Sequence, residues 1–247
     1  MTGMLASVTS VAEAKTVLKE GVDIIDLKNP HEGALGALHT ALVSEIVASI
    51  QGAVLTSATI GDINADDVRL EEQIYCMAET GVDIVKIGLF DVKPTKHFIE
   101  TIKKAANKNI RLVIVLFAEN YIGYESFAPL LNTGIYGLMI DTKDKASKNL
   151  TAILNNEQLN DFIYIVKNHS LLTGLAGSLR YENIDDLLKL KPDYLGFRGA
   201  LCSGNNRINS IDQCKIKKIR SVIPLEGIMA YDYEKHDEEV LKNGAMA

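Results

Sequence analysis

Short apolar segments alternate with longer amphipathic segments along most of the chain. Eight of the apolar segments are rich in Val, Ile and Leu and have the length of strands that are buried on both faces. They span residues 4–8, 23–28, 53–59, 84–89, 112–118, 137–141, 172–177 and 194–199. The pattern therefore predicts eight short strands in the interior of the protein.

The segments between these strands carry apolar residues at helical spacing. Helices are predicted over residues 11–20, 70–80, 95–106, 126–131, 150–168, 181–190 and 211–222. Gly21 and Gly81 follow the first two segments, as glycine commonly does at the end of a helix. Strict alternation of strand and helix implies parallel strands with the helices outside them.

The number of repeats distinguishes a closed sheet from an open one. Eight strands in 247 residues predict the α/β class and a single-domain (β/α)8 TIM barrel. No GxGxxG pattern follows the first strand, which weakens the alternative of an open, dinucleotide-binding sheet. No linker divides the chain, so we predict a catalytic barrel over residues 1–230 and a polar C-terminal tail over residues 231–247.

Composition and charge exclude several function classes. The net charge of −6 argues against a nucleic-acid partner, which would require a basic face. No segment has the roughly 18 uninterrupted apolar residues of a membrane span, and the N-terminus shows no secretory signal. The three cysteines form no CxxC pattern and indicate reduced thiols, so a cytoplasmic location is expected. The sequence leaves open whether the barrel forms a homo-oligomer.

The candidate catalytic residues lie where the predicted strands end, because the loops at that end surround the mouth of a barrel. Strand two ends in Asp26 and Lys28, strand four contains Lys86 and strand six ends in Asp141. Side chains alternate along a strand, so Asp26 and Lys28 point to one side. We expect all four charged groups to face the same space. A buried Lys–Asp pair can be purely structural, but charges in apolar strands are costly without a function or a partner.

Two neighbouring lysines suggest imine chemistry. A nearby positive charge and partial desolvation disfavour the ammonium form, and the neutral amine is the nucleophile that forms an imine with a carbonyl substrate. The second lysine or an aspartate then moves protons. The five histidines form no HxH or HExxH spacing, so neither a metal nor another cofactor is expected.

Small and hydroxyl-bearing residues close the remaining strands and are candidate substrate or phosphate ligands. They are Ser57, Thr59, Gly177, Ser178, Gly199 and Ala200. Barrels often bind phosphate with the loops after strands seven and eight, and Arg198 would add a charged contact there. The glycines alone would fit tight turns equally well. After strand six, one of the lysines of an otherwise exposed loop, at positions 143, 145 and 148, would reach a second phosphate.

Six segments together resemble a known family. They cover residues 23–36, 57–62, 85–89, 138–142, 175–178 and 196–200. In this order they are similar to the (5-formylfuran-3-yl)methyl phosphate synthases, also called 4-(hydroxymethyl)-2-furancarboxaldehyde phosphate synthases. The resemblance covers roughly residues 4–222, and the combined pattern is more specific than any single segment.

The resemblance implies a lyase that joins two molecules of glyceraldehyde 3-phosphate into a phosphorylated furan aldehyde for methanofuran-type one-carbon cofactors. It implies that Lys28 forms the imine and that Lys86 transfers protons. Asp26 and Asp141 are implied as supporting acids, and Lys145 as a further lysine, although the surrounding loop differs from the family pattern.

Three other functions remain compatible with the residues themselves. Another imine-forming (class I) aldolase acting on a phosphorylated sugar would use the same lysines. A metal-free barrel decarboxylase would also use an Asp-x-Lys strand end with a further aspartate. A non-catalytic phosphate sensor would need only the anion-binding loops.

Overall fold

Eight parallel strands close into a barrel in the computed structural model, which describes residues 1–144 and 148–224. The strands are β1 (Gly3–Val8), β2 (Ile24–Leu27), β3 (Leu55–Thr59), β4 (Ile84–Leu89), β5 (Leu112–Phe117), β6 (Gly137–Asp141), β7 (Leu172–Leu175) and β8 (Tyr194–Phe197). Each pairs with its neighbours in chain order, and β8 pairs with β1. The predicted (β/α)8 fold is confirmed, and the predicted tail lies outside the described residues.

Helices pack around the strands. They are α1 (Val11–Lys19), α2 (Thr40–Ile50), α3 (Leu70–Ala78), α4 (Lys96–Ala106), α5 (Leu150–Ile153), α6 (Asn156–Asn168), α7 (Ile184–Lys189) and α8 (Gln213–Arg220). Most of them begin at a side chain that accepts a hydrogen bond from a free backbone N–H of the first turn, such as Ser10, Thr95 and Asp212. None of the helices in the described part of the chain combines the length and the apolar composition that a membrane span requires.

The structure differs from the predicted helices in three places. Helix α2 was not among the predictions, although it supplies three core residues, Val43, Ile46 and Ile50. The predicted helix at 126–131 is instead a pair of short 3-10 turns, where Pro129 removes a backbone donor. The predicted helix at 150–168 is divided into α5 and α6, because Asn155 forms a capping box that starts a new helix.

Three aspartates fix the register of neighbouring strands at the N-terminal end of the barrel. Asp23, Asp83 and Asp193 each directly precede a strand, and each carboxylate accepts a backbone N–H of the preceding strand at 2.6–2.7 Å. Charged acceptors make such bonds stronger than neutral ones. The bonds align β1 with β2, β3 with β4 and β7 with β8, and thereby set which residues lie side by side at the other end.

Apolar side chains fill the interior of the barrel, so it is a packed core with its opening at one end. Leu5, Ile24, Ile84, Met139 and Tyr194 belong to this inner cluster and are at most 2% exposed. A second, larger cluster lies between the strands and the helices. Because the inner cluster closes the lower part of the barrel, the inward residues near the strand ends face the opening instead.

Gly174 is expected to be essential for this packing. A Cβ atom at this position would lie 2.2 Å from Cζ of the buried Tyr194 ring. Gly174→Ala should therefore lower the free energy of unfolding by about 1–3 kcal/mol, the usual cost of overpacking, as measured by urea denaturation. Adding Gly174→Ala to a Tyr194→Leu variant, which lacks the ring, should cost clearly less. Equal costs in the two backgrounds would contradict the proposed clash.

Candidate active site

A cavity of about 370 Å³ opens at the C-terminal ends of the strands. Eight of the predicted site residues line it: Asp26, Lys28, Lys86, Asp141, Gly177, Ser178, Arg198 and Gly199. The two lysines and the two aspartates that the strand pattern singled out are thus brought to one space. They come from β2, β4 and β6 and from the residue after β2.

Lys86 is held by a buried network centred on Asp26. Its Nζ donates to Oδ1 of Asp26 at 2.9 Å, and the Lys86 side chain is only 4% exposed. Ser7 and Ser57 donate their hydroxyls to the same carboxylate at 2.7 and 2.6 Å. The strand register explains this arrangement, because Asp26 pairs with Ser7 of β1 on one side and with Ser57 of β3 on the other.

These contacts keep Asp26 ionised. Burial on its own would raise the pKa of this carboxyl, but the charges of Lys86 and Lys28 and the hydroxyls of Ser57 and Ser7 together lower it below the usual value of 3.8. A carboxylate with three hydrogen-bond donors therefore sits almost fully buried beneath the cavity.

Lys28 has a different partner from the one that its sequence neighbourhood suggests. Its Nζ lies 3.5 Å from Oδ2 of Asp141, while the adjacent Asp26 is bonded to Lys86. Asp141 in turn accepts the backbone N–H of Thr142 at 2.7 Å. The Lys28 side chain is 11% exposed, more than that of Lys86, so Lys28 is the more accessible of the two amines.

The loop after β7 takes a conformation that favours glycine. Gly177 has φ of 116°, and a Cβ atom there would lie 2.7 Å from Cγ2 and 3.0 Å from the backbone N of Thr142. Ser178 follows in the left-handed region with φ of 49°. The loops after β7 and β8 thus both contribute residues to the cavity wall, and their predicted role in binding phosphate stays a prediction.

The geometry gives no support to the predicted phosphate contact of Arg198. All five of its N–H donors are directed to protein acceptors. The acceptors are both carboxylate oxygens of Glu13 and the backbone carbonyls of Ser7, Arg207 and Asn209. A phosphate would have to displace one of them, so Arg198 is placed to hold the loop after β8 against β1 and α1.

The family of the chain follows from comparison with known proteins. A family model described as 4-HFC-P synthase matches residues 4–220. The chain belongs to the 4-HFC-P synthase family. A (5-formylfuran-3-yl)methyl phosphate synthase from Methanosarcina barkeri is 32% identical over 227 residues, which cover 87% of this chain and 97% of that protein. A Methylorubrum extorquens protein provisionally given the same name is 38% identical, over 86% of this chain and 88% of that protein.

These relatives confirm the resemblance that the strand-end segments indicated, and because they are named as synthases, the chain is an enzyme. Among solved structures, phosphoribosyl anthranilate isomerase from Thermus thermophilus superimposes with a TM-score of 0.62, over 90% of this chain and 97% of that chain. Its sequence is only 11% identical, so this likeness shows the barrel fold alone.

Four of the predicted 4-HFC-P synthase site residues do not line the cavity or lie outside the described part. Ser57 lies beneath it, bonded to Asp26. Thr59 is buried and donates its hydroxyl to the carbonyl of Gly36 at 2.9 Å, which holds the loop after β2. Ala200 is buried beside the cavity-lining Gly199. Lys145 lies outside the described residues.

In the described part of the chain, Lys143 and Lys148 of that loop are not among the residues that line the cavity. Lys143 and Lys148 are exposed, and Nζ of Lys143 lies 5.7 Å from the centre of the Phe90 ring. Their predicted role in binding a second phosphate therefore stays a prediction. Over the described ranges, no three His, Cys, Asp or Glu side chains are grouped closely enough to hold a metal ion.

Among the cavity-lining residues that were not found from the sequence are one serine and two arginines. Ser7 could have been found, because it lies one residue before the end of β1 at the level of Asp26. Arg180 and Arg207 also line the cavity, but they lie in loops where no strand or helix period marks them. Only the folding of the loops after β7 and β8 brings these arginines to the mouth.

The Asp26 network predicts a defined effect on stability. Asp26→Asn leaves the buried Lys86 cation without its carboxylate and should lower the free energy of unfolding by about 3–5 kcal/mol at pH 7, as measured by urea denaturation. The exposed Asp66→Asn serves as the control and should change it little.

The same variant gives a pH signature. Because the folded pKa of Asp26 is depressed, its contribution is present above the usual carboxyl pKa of 3.8 and is lost as the pH falls through the lower folded pKa. The stability difference between the wild type and Asp26→Asn should therefore shrink in strong acid. A difference that stays constant throughout this range would contradict an ionised, buried Asp26.

Proposed function

We propose that this enzyme is a lyase that condenses two molecules of glyceraldehyde 3-phosphate into (5-formylfuran-3-yl)methyl phosphate through an imine on Lys28. The atoms balance when one phosphate and two waters are lost. The observation that carries the proposal is the presence of two lysines in one cavity, each with its own carboxylate. The product would enter the synthesis of methanofuran-type cofactors, as the family resemblance implies.

The two lysines differ in a way that supports separate roles. Lys86 donates a hydrogen bond to a fully buried carboxylate at 2.9 Å, which holds its amine in place. Lys28 lies 3.5 Å from Asp141 and is more accessible, and the Lys86 charge in the same cavity disfavours a second ammonium. Lys28 is therefore the better nucleophile and Lys86 the better proton donor.

Imine formation requires a nucleophilic amine and a proton donor, and the two lysines supply them. The Lys28 amine adds to the aldehyde carbon of one triose, and the aldehyde oxygen leaves as water after protonation, for which Lys86 is the donor. The resulting iminium withdraws electrons from the neighbouring carbon, whose proton can then be removed by the deprotonated Lys86 or by Asp141. The product of this step is an enamine-like carbon on Lys28.

The later steps follow from the enamine. Electrons flowing from it expel the phosphate of this first triose by elimination, which leaves an enol whose nucleophilic carbon is the one that carried the phosphate. Proton transfer moves the carbonyl of the second triose from its first to its second carbon. The enol carbon attacks this carbonyl and forms the new carbon–carbon bond, so that the retained CH2–phosphate branches from the future ring. Closure of the ring and loss of water give the furan and release Lys28. Asp26 keeps Lys86 in place throughout, because Ser7 and Ser57 fix its carboxylate.

The glycine-bearing loops provide the backbone part of a phosphate site. Gly177, Ser178 and Gly199 line the same cavity as the lysines, and Ala200 follows directly. Loops at these positions commonly bind phosphate in TIM barrels. We propose that the phosphate ester retained in the product lies against this wall while its aldehyde end reaches the lysines.

Product formation separates the proposal from the alternative functions. With glyceraldehyde 3-phosphate as the only substrate, the purified protein should release phosphate and develop the ultraviolet absorbance of a furan aldehyde. An aldolase of another sugar or a decarboxylase would give no furan, and a phosphate sensor would give no sustained phosphate release. Absence of both signals over many enzyme equivalents would refute the proposed reaction.

Covalent trapping assigns the lysine roles. Borohydride reduction in the presence of glyceraldehyde 3-phosphate should leave a stable adduct on Lys28, located by peptide mass spectrometry. Lys28→Arg should abolish both the adduct and nearly all activity, because arginine keeps the charge but cannot form the imine. Lys86→Arg should still be trapped at Lys28 while turnover falls by about 100-fold or more, in line with loss of a proton-transfer group.

The same experiment identifies a wrong assignment. An adduct on Lys86 that persists in Lys28→Arg would reverse the two roles. The exposed Lys189→Arg variant is the matched control and should show wild-type trapping and turnover, because Lys189 forms only a surface pair with Asp186.

A further inference from the structure

Arg180 has an unusual hydrogen-bonding state for a residue that lines the cavity. Its Nη2 donates to the carbonyl of Asn205 at 3.2 Å, and its backbone N–H donates to Asn183 at 2.9 Å. Its Nη1 is buried, yet it has no hydrogen-bond partner among the residues that the structure describes. A buried donor left unpaired is costly and rare in folded proteins, so this nitrogen indicates a place for a ligand.

The unpaired nitrogen lies at the wall where a phosphate is expected. A Cβ atom on Gly199 would come within 3.3 Å of Nη1 of Arg180 and within 3.7 Å of the backbone N of Arg207. Glycine at this position therefore lets the guanidinium group of Arg180 lie close to the main chain. An anion resting on the backbone at Gly199 would be within reach of the guanidinium.

Arg207 approaches the cavity from the loop after β8. Its Nη2 donates to the carbonyl of Gly33 at 3.0 Å, which connects this loop to the loop after β2. Burial, together with the charge of Arg198, lowers the pKa of Arg207 below its usual value, although the carboxylates of Asp141 and Asp62 act in the opposite direction. Asp62 itself accepts the backbone N–H groups of Ala34 and Leu35. Arg207 is thus a partly desolvated cation at the edge of the site.

Each of the other cations that line the cavity has a carboxylate within salt-bridge distance. Lys28 faces Asp141, Lys86 is bonded to Asp26, and Arg198 is neutralised by Glu13. The two guanidinium groups of Arg180 and Arg207 are the lining cations that no carboxylate contacts within salt-bridge distance among the described residues. A phosphate monoester carries close to two negative charges at neutral pH and complements this pair.

We propose that Arg180 and Arg207 are the specificity-determining pair that binds the phosphate ester of the triose substrate in this cavity. The proposal rests on the function proposed above only for the identity of the triose. A planar guanidinium suits this task, because its parallel N–H groups match phosphate oxygens. Arg198, which is saturated by protein acceptors, positions the loop that carries Arg207 through their bond at 2.9 Å.

The test measures anion binding separately from catalysis. Calorimetric titration with glycerol 3-phosphate, which has the ester but no aldehyde, and with inorganic phosphate gives the affinity of the resting enzyme. Arg180→Met and Arg207→Met should each weaken binding of glycerol 3-phosphate by about 10- to 100-fold, the usual effect of losing a charged hydrogen bond. Arg180→Lys keeps the charge but not the planar guanidinium, so its affinity for glycerol 3-phosphate should lie between those of Arg180→Met and the wild type.

Substrate kinetics supply a second readout. The arginine variants should raise KM for glyceraldehyde 3-phosphate more than they lower kcat. Borohydride trapping of glyceraldehyde, which lacks the phosphate, should stay at the wild-type level, because the imine lysine is untouched. Arg69→Met removes an exposed arginine and should behave as the wild type in every assay. Melting temperatures of all variants distinguish lost binding from lost folding.

The outcomes separate this proposal from the proposed reaction. Unchanged affinity for glycerol 3-phosphate in folded Arg180→Met and Arg207→Met would overturn the arginine pair, even if the wild type forms the furan. Loss of affinity for inorganic phosphate alone would also overturn it, because the site would then serve the released phosphate. Loss of glycerol 3-phosphate binding supports the pair, and it does so even if the wild type makes no furan and the proposed reaction fails.

Discussion

The free-energy cost of burying charge inside an apolar barrel determines how the whole site is arranged. Asp26 is 1% exposed, and a carboxylate in such a place is tolerated only when cations and hydroxyl donors surround it. Lys86, Ser7 and Ser57 provide these donors. The same bonds that stabilise the carboxylate also fix the amine of Lys86. One set of contacts therefore both stabilises the buried carboxylate and positions the Lys86 amine at the cavity.

This network depends on strand register. A shift of one residue between β1 and β2, or between β2 and β3, would turn a serine away from Asp26, because side chains alternate across a strand. The opposite end of the barrel opposes such a shift between β1 and β2. There, Asp23 accepts the backbone N–H of Met4, and Asp83 aligns β3 with β4 in the same way. Hydrogen bonds at the N-terminal end of the barrel thus help to set the geometry of the charged groups at its C-terminal end.

The arginines at the rim of the cavity make two different kinds of contact. Arg198 uses its donors on Glu13 and on loop carbonyls, and so organises the chain after β8. Arg180 retains an unpaired nitrogen, and Arg207 extends to the loop after β2. The lysine pairs lie deeper, at the strand ends. In the proposed function, a phosphorylated aldehyde contacts the arginines at the rim and reacts with the lysines below them.

The sequence determined the barrel and the four charged groups at its strand ends. Buried parallel strands appear as short apolar runs, and Lys28, Lys86 and Asp141 are recognisable as charges that interrupt or close them. The boundaries of β4 and β6 were predicted as observed. Helix α2 was missed, and the 3-10 turns between β5 and β6 replaced a predicted helix.

Only the tertiary structure determined which charged side chains pair with each other. Sequence proximity links Lys28 to Asp26, but the closed barrel pairs Lys28 with Asp141 and Asp26 with Lys86. It also assigned Arg198 to Glu13, 185 residues away along the chain, and brought Arg180 and Arg207 to the mouth. The physical reason is that alternation along a strand fixes only the face on which a side chain lies. Its contacts across the barrel depend on register and loop folding, which distant segments set together.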